Sequence, residues 1–127
     1  MGIKLNCDMG ESFGLWEIGS DKEIMPYINM ANLACGFHAG DSVTMNKAVS
    51  LAKENNIEIG AHPGYQDLVG FGRRSIICTK EEIMALIIYQ LGALVAFCKV
   101  HKTEVTYLKP HGALYQDMMK DDTVFNA

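Results

Sequence analysis

The chain has 127 residues, 49% hydrophobic and 20% charged, with a formal net charge of −4. That size suits one domain or part of one, and the composition excludes a disordered chain. Acidic residues outnumber basic ones and no basic stripe is present, so nucleic acid is excluded as an expected partner.

Ile3 to Cys7 alternates apolar and polar positions and predicts a first strand. It runs into the Asp8–Gly14 loop, which holds two carboxylates and two glycines. Ser20-Asp21-Lys22-Glu23 matches a capping box for a short helix or turn ended by Pro26. Met30 to Cys35 is the second strand, and Asp41 is placed to cap a helix from Ser42 to Asn55. Ile57 to Ala61 is the third strand, broken by His62-Pro63-Gly64, because proline cannot continue a strand interior. The long loop from Pro63 to Ile77 carries Arg73-Arg74, and loops of that length are often functional. Thr79 to Glu82 is a second capping box, opening an apolar helix that ends near His101. Glu104 to Leu108 is the fourth strand, and Leu114 to Phe125 a further helix.

The run Ile83 to Val100 approaches the length of a membrane span. Gln90, Gly92 and Lys99 interrupt it, and it lies between two motif-bearing strands. The expectation is therefore a helix buried between the sheet and a neighbouring subunit, with no membrane. The cysteines Cys7, Cys35, Cys78 and Cys98 have neither zinc-ribbon nor disulfide-framework spacing, so reduced thiols are expected, with Cys7 and Cys35 filling strands. No secretory leader or myristoylation pattern is visible at the start, which points to a cytoplasmic location.

Alternating strands and helices predict a parallel α/β sheet, whose ligands bind beyond the carboxyl ends of the strands. Four strands are half of the usual eight-stranded barrel. Either a second half lies elsewhere or two chains supply one core as a homo-oligomer, and a lone monomer is expected to expose apolar surface. Neither a GxGxxG nor a GxxxxGK[ST] pattern is present, so a dinucleotide or P-loop site is not supported.

The chemistry collects at the strand ends. His38, His62 and His111 each sit beside Gly or Pro where a strand stops, and together they read as one site for proton transfer or metal ligation. A loop histidine bonded to backbone is the bland reading of each. Asp8 leaves the first strand on the same edge, followed by Glu11. Asp8 with two or three histidines is an acceptable metal set, although no local metal motif is present and metal use stays open. Lys109 could neutralise an oxyanion or simply lie along the sheet with its ammonium in water. Arg73 and Arg74 could clamp an anion or be a solvated pair.

Four stretches then resemble the LamB/YcsF family. They are Leu5-Asn6-Cys7-Asp8-Met9-Gly10-Glu11-Ser12-Phe13-Gly14, the run from Ala31 to Asp41, Gly60 to Asp67 with Gly70 to Arg74, and Lys109-Pro110-His111-Gly112-Ala113-Leu114-Tyr115. The resemblance covers essentially the whole chain and implies the first half of a TIM-like (β/α) barrel of the glycoside hydrolase/deacetylase type, with its link to carbohydrate metabolism. The family is that of the A subunit of the ATP-dependent 5-oxoprolinase. It implies nucleotide-dependent opening of 5-oxo-L-proline to L-glutamate, ATP with Mg as co-substrate, and partner subunits B and C. Asp8, His38, His62, Lys109 and His111 are the implied catalytic residues, and Asn6, Glu11, Asn32 and Arg73 the implied substrate contacts. Lys109 would stabilise charge on the lactam or phosphoryl oxygen, His62 and His111 would move protons, Asp8 would orient a histidine or water, and Arg73 would meet the substrate carboxylate. The alternatives are a stand-alone metal-dependent hydrolase or deacetylase of the same barrel type, and a non-catalytic assembly component.

Overall fold

The computed structural model describes residues 2–127. Four parallel strands lie in the order β1 (Asn6–Met9), β2 (Met30–Ala34), β3 (Glu58–His62) and β4 (Val105–Leu108). Among the described residues, five α-helices accompany them: α1 (Asp21–Ile24), α2 (Ser42–Glu54), α3 (Lys80–Val100), α4 (Gly112–Met118) and α5 (Asp122–Phe125). This is a four-strand arc of a (β/α) barrel, with α2 and α3 linking successive parallel strands.

Strand alternation divides the sheet into two chemically different faces. Met9, Ala31, Leu33, Ile59 and Ala61 pack with Met45, Val49 and Ala52 of α2 and with Leu94 and Cys98 of α3 into one apolar core. The other face carries Asn6 and Asp8, Asn32, Gly60 and His62, and Tyr107. Parallel pairing sets Asp8 opposite Asn32, Asn32 opposite Gly60 and Gly60 opposite Tyr107. A register shift between Ile59 and Gly60 produces the last pairing. Polar residues are therefore lined up across the sheet by register alone.

Helix starts follow their chemistry. The Asp41 carboxylate accepts the Thr44 N–H at 2.8 Å. At α3 the full capping box forms: the Thr79 hydroxyl accepts from Glu82 N and the Glu82 carboxylate accepts from Thr79 N. The helix α2 ends at Asn55, and Asn56 takes a left-handed φ of 57°.

Several boundaries differ from expectation. Strand β1 begins at Asn6 and continues to Met9, because Ile3 is 92% exposed and gains nothing from sheet burial. The Ser20 capping box does not form. The Asp21 carboxylate accepts the Gly10 N–H at 2.8 Å, fixing the loop after β1. Pro26 does not end the segment but sits inside a 3-10 turn, Met25–Tyr27, where its missing N–H costs nothing. The helix expected from Leu114 to Phe125 divides in two, because the Asp121 side chain accepts from Thr123 N and starts α5.

The apolar helix α3 is long and apolar enough to cross a membrane by length and composition. It lies as the crossover between β3 and β4, with Ile83, Gln90, Leu94 and Cys98 buried on one side. Its outer side is bare: Ile88 is 64% and Tyr89 69% exposed. The expected cover from a neighbouring subunit on that side is not provided within the chain. All four cysteines are free; Cys35 is buried and Cys7 half-buried against the core.

Candidate functional site

Asp8 projects from β1 onto the polar face of the sheet. Its Oδ1 accepts from Asn32 Nδ2 and from Lys109 Nζ, both at 2.8 Å, and its Oδ2 lies 3.5 Å from His62 Nε2. The His62 hydrogen bond first, then the Lys109 and Asn32 bonds, holds its carboxyl far below the usual carboxylate range. It is an anion at every physiological pH. Lys109 is therefore committed to the site, with its ammonium on Asp8 rather than free in water.

Asn32 is fully buried and organises this anion. Its Nδ2 donates to both Asn6 Oδ1 and Asp8 Oδ1, while its Oδ1 accepts from the Tyr107 hydroxyl at 2.7 Å. The Asp8 carboxylate, which can only accept, fixes which way the amide points. Tyr107 reaches Asn32 by lying across β3 over Gly60, where a Cβ would come within 2.1 Å of the tyrosine ring. Burial raises the Tyr107 hydroxyl to about 12, so it stays protonated and donates.

The two remaining strand ends carry the imidazoles. His62 Nδ1 donates to the Lys109 carbonyl at 2.5 Å, and His111 Nε2 donates to the Phe71 carbonyl at 2.8 Å. Their other nitrogens, His62 Nε2 and His111 Nδ1, face each other at 3.0 Å. His38 stacks on His111 with ring centroids 3.6 Å apart and planes 7° from parallel, and its Nε2 meets Glu11 Oε1 at 3.2 Å. Burial, then the neighbouring His38, depresses His111 to about 4; burial likewise lowers His38. Both are neutral bases near neutral pH. Glu11, His38, His62 and His111 each offer a ligand atom within 4.8 Å of the others, so these four side chains could hold a metal ion.

The supporting loop is built to receive them. Phe71 adopts a left-handed φ of 54°, a strained position for a bulky residue, and its carbonyl is the one that takes His111 Nε2–H. At Gly72 a side chain would come within 2.6 Å of His38 Cβ, so only glycine lets loop and ring meet. Asp67 organises this turn by accepting from Gly70 N at 3.0 Å and by pairing with Arg74. The buried Gln90 of α3 brackets Gly64, accepting its N–H and donating to its carbonyl.

Two pockets flank the imidazoles. One, of about 270 Å³, is bordered by Asp8, His62, Arg73, Lys109, Pro110, His111, Gly112, Tyr115 and Gln116. The other, of about 360 Å³, is apolar, with Phe13, Trp16, Leu68, Val69 and Phe71 around Glu11 and His38. The structure thus brings Asp8, His62, Lys109, His111 and Arg73 to one pocket and seats Asn6 and Asn32 beneath Asp8. Glu11 lies apart from the Arg73 pocket, on the His38 side. Arg74, read as half of an anion clamp, is instead bound to Asp67 and is a loop strut. The arginine at the pocket is Arg73, held over the Phe71 ring 5.3 Å from its centroid.

Tyr107, Gly60, Phe71 and Gln90 were not legible as site residues. Gln90 alone left a signal, as a polar break in the apolar run, but nothing in its spacing named Gly64 as its partner.

A parallel α/β arc with titratable residues converging at the carboxyl ends of its strands defines a barrel-type enzyme scaffold. The sequence matches the LamB/YcsF family over residues 3–127, and the chain belongs to that family. It is 58% identical over 125 residues to a Vibrio campbellii protein named as the A subunit of 5-oxoprolinase, covering 98% of this chain and 50% of that protein. It is likewise 58% identical, with the same coverage, to a Pseudomonas aeruginosa protein named as another 5-oxoprolinase A subunit. The crystal structure of a lactam utilization protein from Thermus thermophilus superposes with a TM-score of 0.95 at 48% identity, covering 98% of this chain and 50% of that one. The chain therefore spans about half the length of the curated relatives it matches.

Proposed function

We propose that this chain supplies the first half of the catalytic barrel of a 5-oxoprolinase A subunit. In this reading it opens 5-oxo-L-proline to L-glutamate, coupled to ATP hydrolysis, with subunits B and C in the cytoplasm. The observation that carries the proposal is the single polar pocket joining Asp8, Lys109, His62, His111 and Arg73, in a chain so close to proteins bearing that name.

The substrate is a small anionic lactam, and the pocket offers it complementary groups. Arg73 meets its carboxylate through a charge-assisted fork. Lys109 Nζ, already held by Asp8, stabilises the negative charge that develops on the lactam oxygen when water adds to the carbonyl carbon. His62 and His111 line the same pocket, where the attacking water is activated. The C–N bond then breaks, and the ring nitrogen takes a proton to become the amine of glutamate. Among the described residues there is no glycine-rich phosphate loop, and the Asp41 and Thr79 side chains already cap the helices α2 and α3. No step through ATP is assigned to this chain; in this reading the nucleotide and its Mg belong with the remainder of the barrel or with the partner subunits.

The test is glutamate release from 5-oxoproline and ATP by the full complex. Asp8→Ala and Lys109→Ala should each lower turnover by about 100-fold or more, the range for removing a preorganised electrostatic group. Near-normal turnover in both variants would sink the assignment.

A further inference from the structure

We propose that His62 Nε2 and His111 Nδ1, completed by the Glu11 carboxylate, form a binding site for a divalent transition-metal ion of the zinc type. The argument starts from proton bookkeeping. A backbone carbonyl can only accept, so the His62 nitrogen on the Lys109 carbonyl and the His111 nitrogen on the Phe71 carbonyl must both carry hydrogen. The remaining nitrogens, His62 Nε2 and His111 Nδ1, face each other at 3.0 Å, and Asp8 Oδ2 stands 3.5 Å from His62 Nε2. Bare, the two lone pairs would repel; either a proton on His62 Nε2, shared with Asp8, or a metal cation bound by both nitrogens relieves the conflict.

Three observations favour a metal ion over a shared proton. Ligand nitrogens about 2.0–2.1 Å from one ion stand about 2.9–3.4 Å apart at angles from 90° to tetrahedral, which brackets the observed separation. Each ring has its far N–H anchored on a main-chain carbonyl, the arrangement that fixes tautomer and aim in metal-ligating histidines. The Phe71 carbonyl belongs to a residue of left-handed backbone, so local strain accompanies the anchoring of His111. Finally, a third donor is at hand, since a Glu11 oxygen lies within 4.8 Å of a ring nitrogen of each of the two imidazoles. Two imidazoles and a carboxylate suit zinc and its neighbours better than magnesium.

His38 has a different part. Its plane is nearly parallel to that of His111 and displaced 3.6 Å between centroids, so both rings cannot direct in-plane lone pairs at one ion. It holds Glu11 through Nε2 and acts as a positioning residue. This inference does not rest on the 5-oxoprolinase reading, and its test reads binding rather than turnover.

The experiment titrates the chelator-stripped chain with zinc by calorimetry and with cobalt(II) by visible absorption. One zinc per chain is expected, with cobalt d–d bands and no intense thiolate charge-transfer band. His62→Ala and His111→Ala should weaken zinc binding by at least about 100-fold, and His38→Gln by about 10-fold to 100-fold, the range for a supporting residue. Zinc should raise the melting temperature of the unaltered chain by mass action and leave that of His62→Ala unmoved, a readout that also reports folding. The proposal is overturned if the folded, unaltered chain takes up no zinc. It is equally overturned if both alanine variants bind zinc as tightly, or if Cys7→Ser or Cys78→Ser removes the binding. Imidazole nitrogen shifts showing one shared proton that zinc does not displace would also overturn it.

Discussion

Gly60→Ala tests the way the fold delivers its anion. The added Cβ would occupy space now filled by the Cε2 and Cζ atoms of Tyr107. Carbon atoms settle at about 3.5–4.0 Å, so the ring must retreat by about 1 Å or more. Overpacking of this kind costs about 1–3 kcal/mol. The retreat also withdraws the Tyr107 hydroxyl from Asn32 Oδ1, and leaving that buried carbonyl unpaired costs about 1–3 kcal/mol more. Removing a strand glycine returns about 0.5–1 kcal/mol. A net loss of about 2–4 kcal/mol is expected, a fall in melting temperature of about 8–15 °C for a chain of this size. Thermal unfolding of Gly60→Ala, Tyr107→Ala and the double variant closes the cycle. With the ring gone, the alanine at position 60 should cost nothing or stabilise. An unchanged melting temperature in Gly60→Ala, or the same loss in both backgrounds, would refute the reasoning.

Other consequences are accessible to simple measurements. Thr79→Ala removes the capping box of α3 and should lower stability by about 1 kcal/mol in urea unfolding, with an unchanged denaturant slope. Leu94→Ala empties a fully buried position between α3 and the sheet and should cost about 2–5 kcal/mol. The Arg74 guanidinium holds Asp67 down to about 2, so the folded state binds that proton less readily than the unfolded chain. Its stabilisation is complete above the unfolded value of 3.8 and is lost as pH falls through about 2. In Arg74→Met, carboxyl NMR should show Asp67 titrating nearer the unfolded value, and an unmoved titration would remove Arg74 as the cause. Burial pushes Cys35 up to about 12 and Cys98 up to about 11, so both should resist alkylation at pH 8 until the chain unfolds.

The exposed side of α3 and the outer edges of β1 and β4 give the chain a surface unlike that of a closed barrel. Among the described residues only β2 and β3 are paired on both sides, and the residues of β1 and β4 are correspondingly less buried. This accords with a chain that spans about half the length of its relatives.

Sequence alone determined the alternation of strands and helices, because strand runs and capped amphipathic stretches are local properties. Asp41 and Thr79 were legible as caps since each bonds a backbone N–H three residues on. Ser20 has the same spacing, yet its side chain makes no cap bond, while the neighbouring Asp21 carboxylate takes the N–H of Gly10, outside its own turn. Asp8, His38, His62, Lys109 and His111 stood out because titratable residues gathered where strands stop. Which of them touch could not be read locally. The pairing of His62 with His111 spans 49 residues and that of Asp8 with Lys109 spans 101. The register shift at Ile59/Gly60, which carries Tyr107 over to Asn32, belongs to no single strand. Tertiary structure decided these contacts because side-chain direction in a parallel sheet depends on register, and register is set by the burial of the opposite face against α2 and α3.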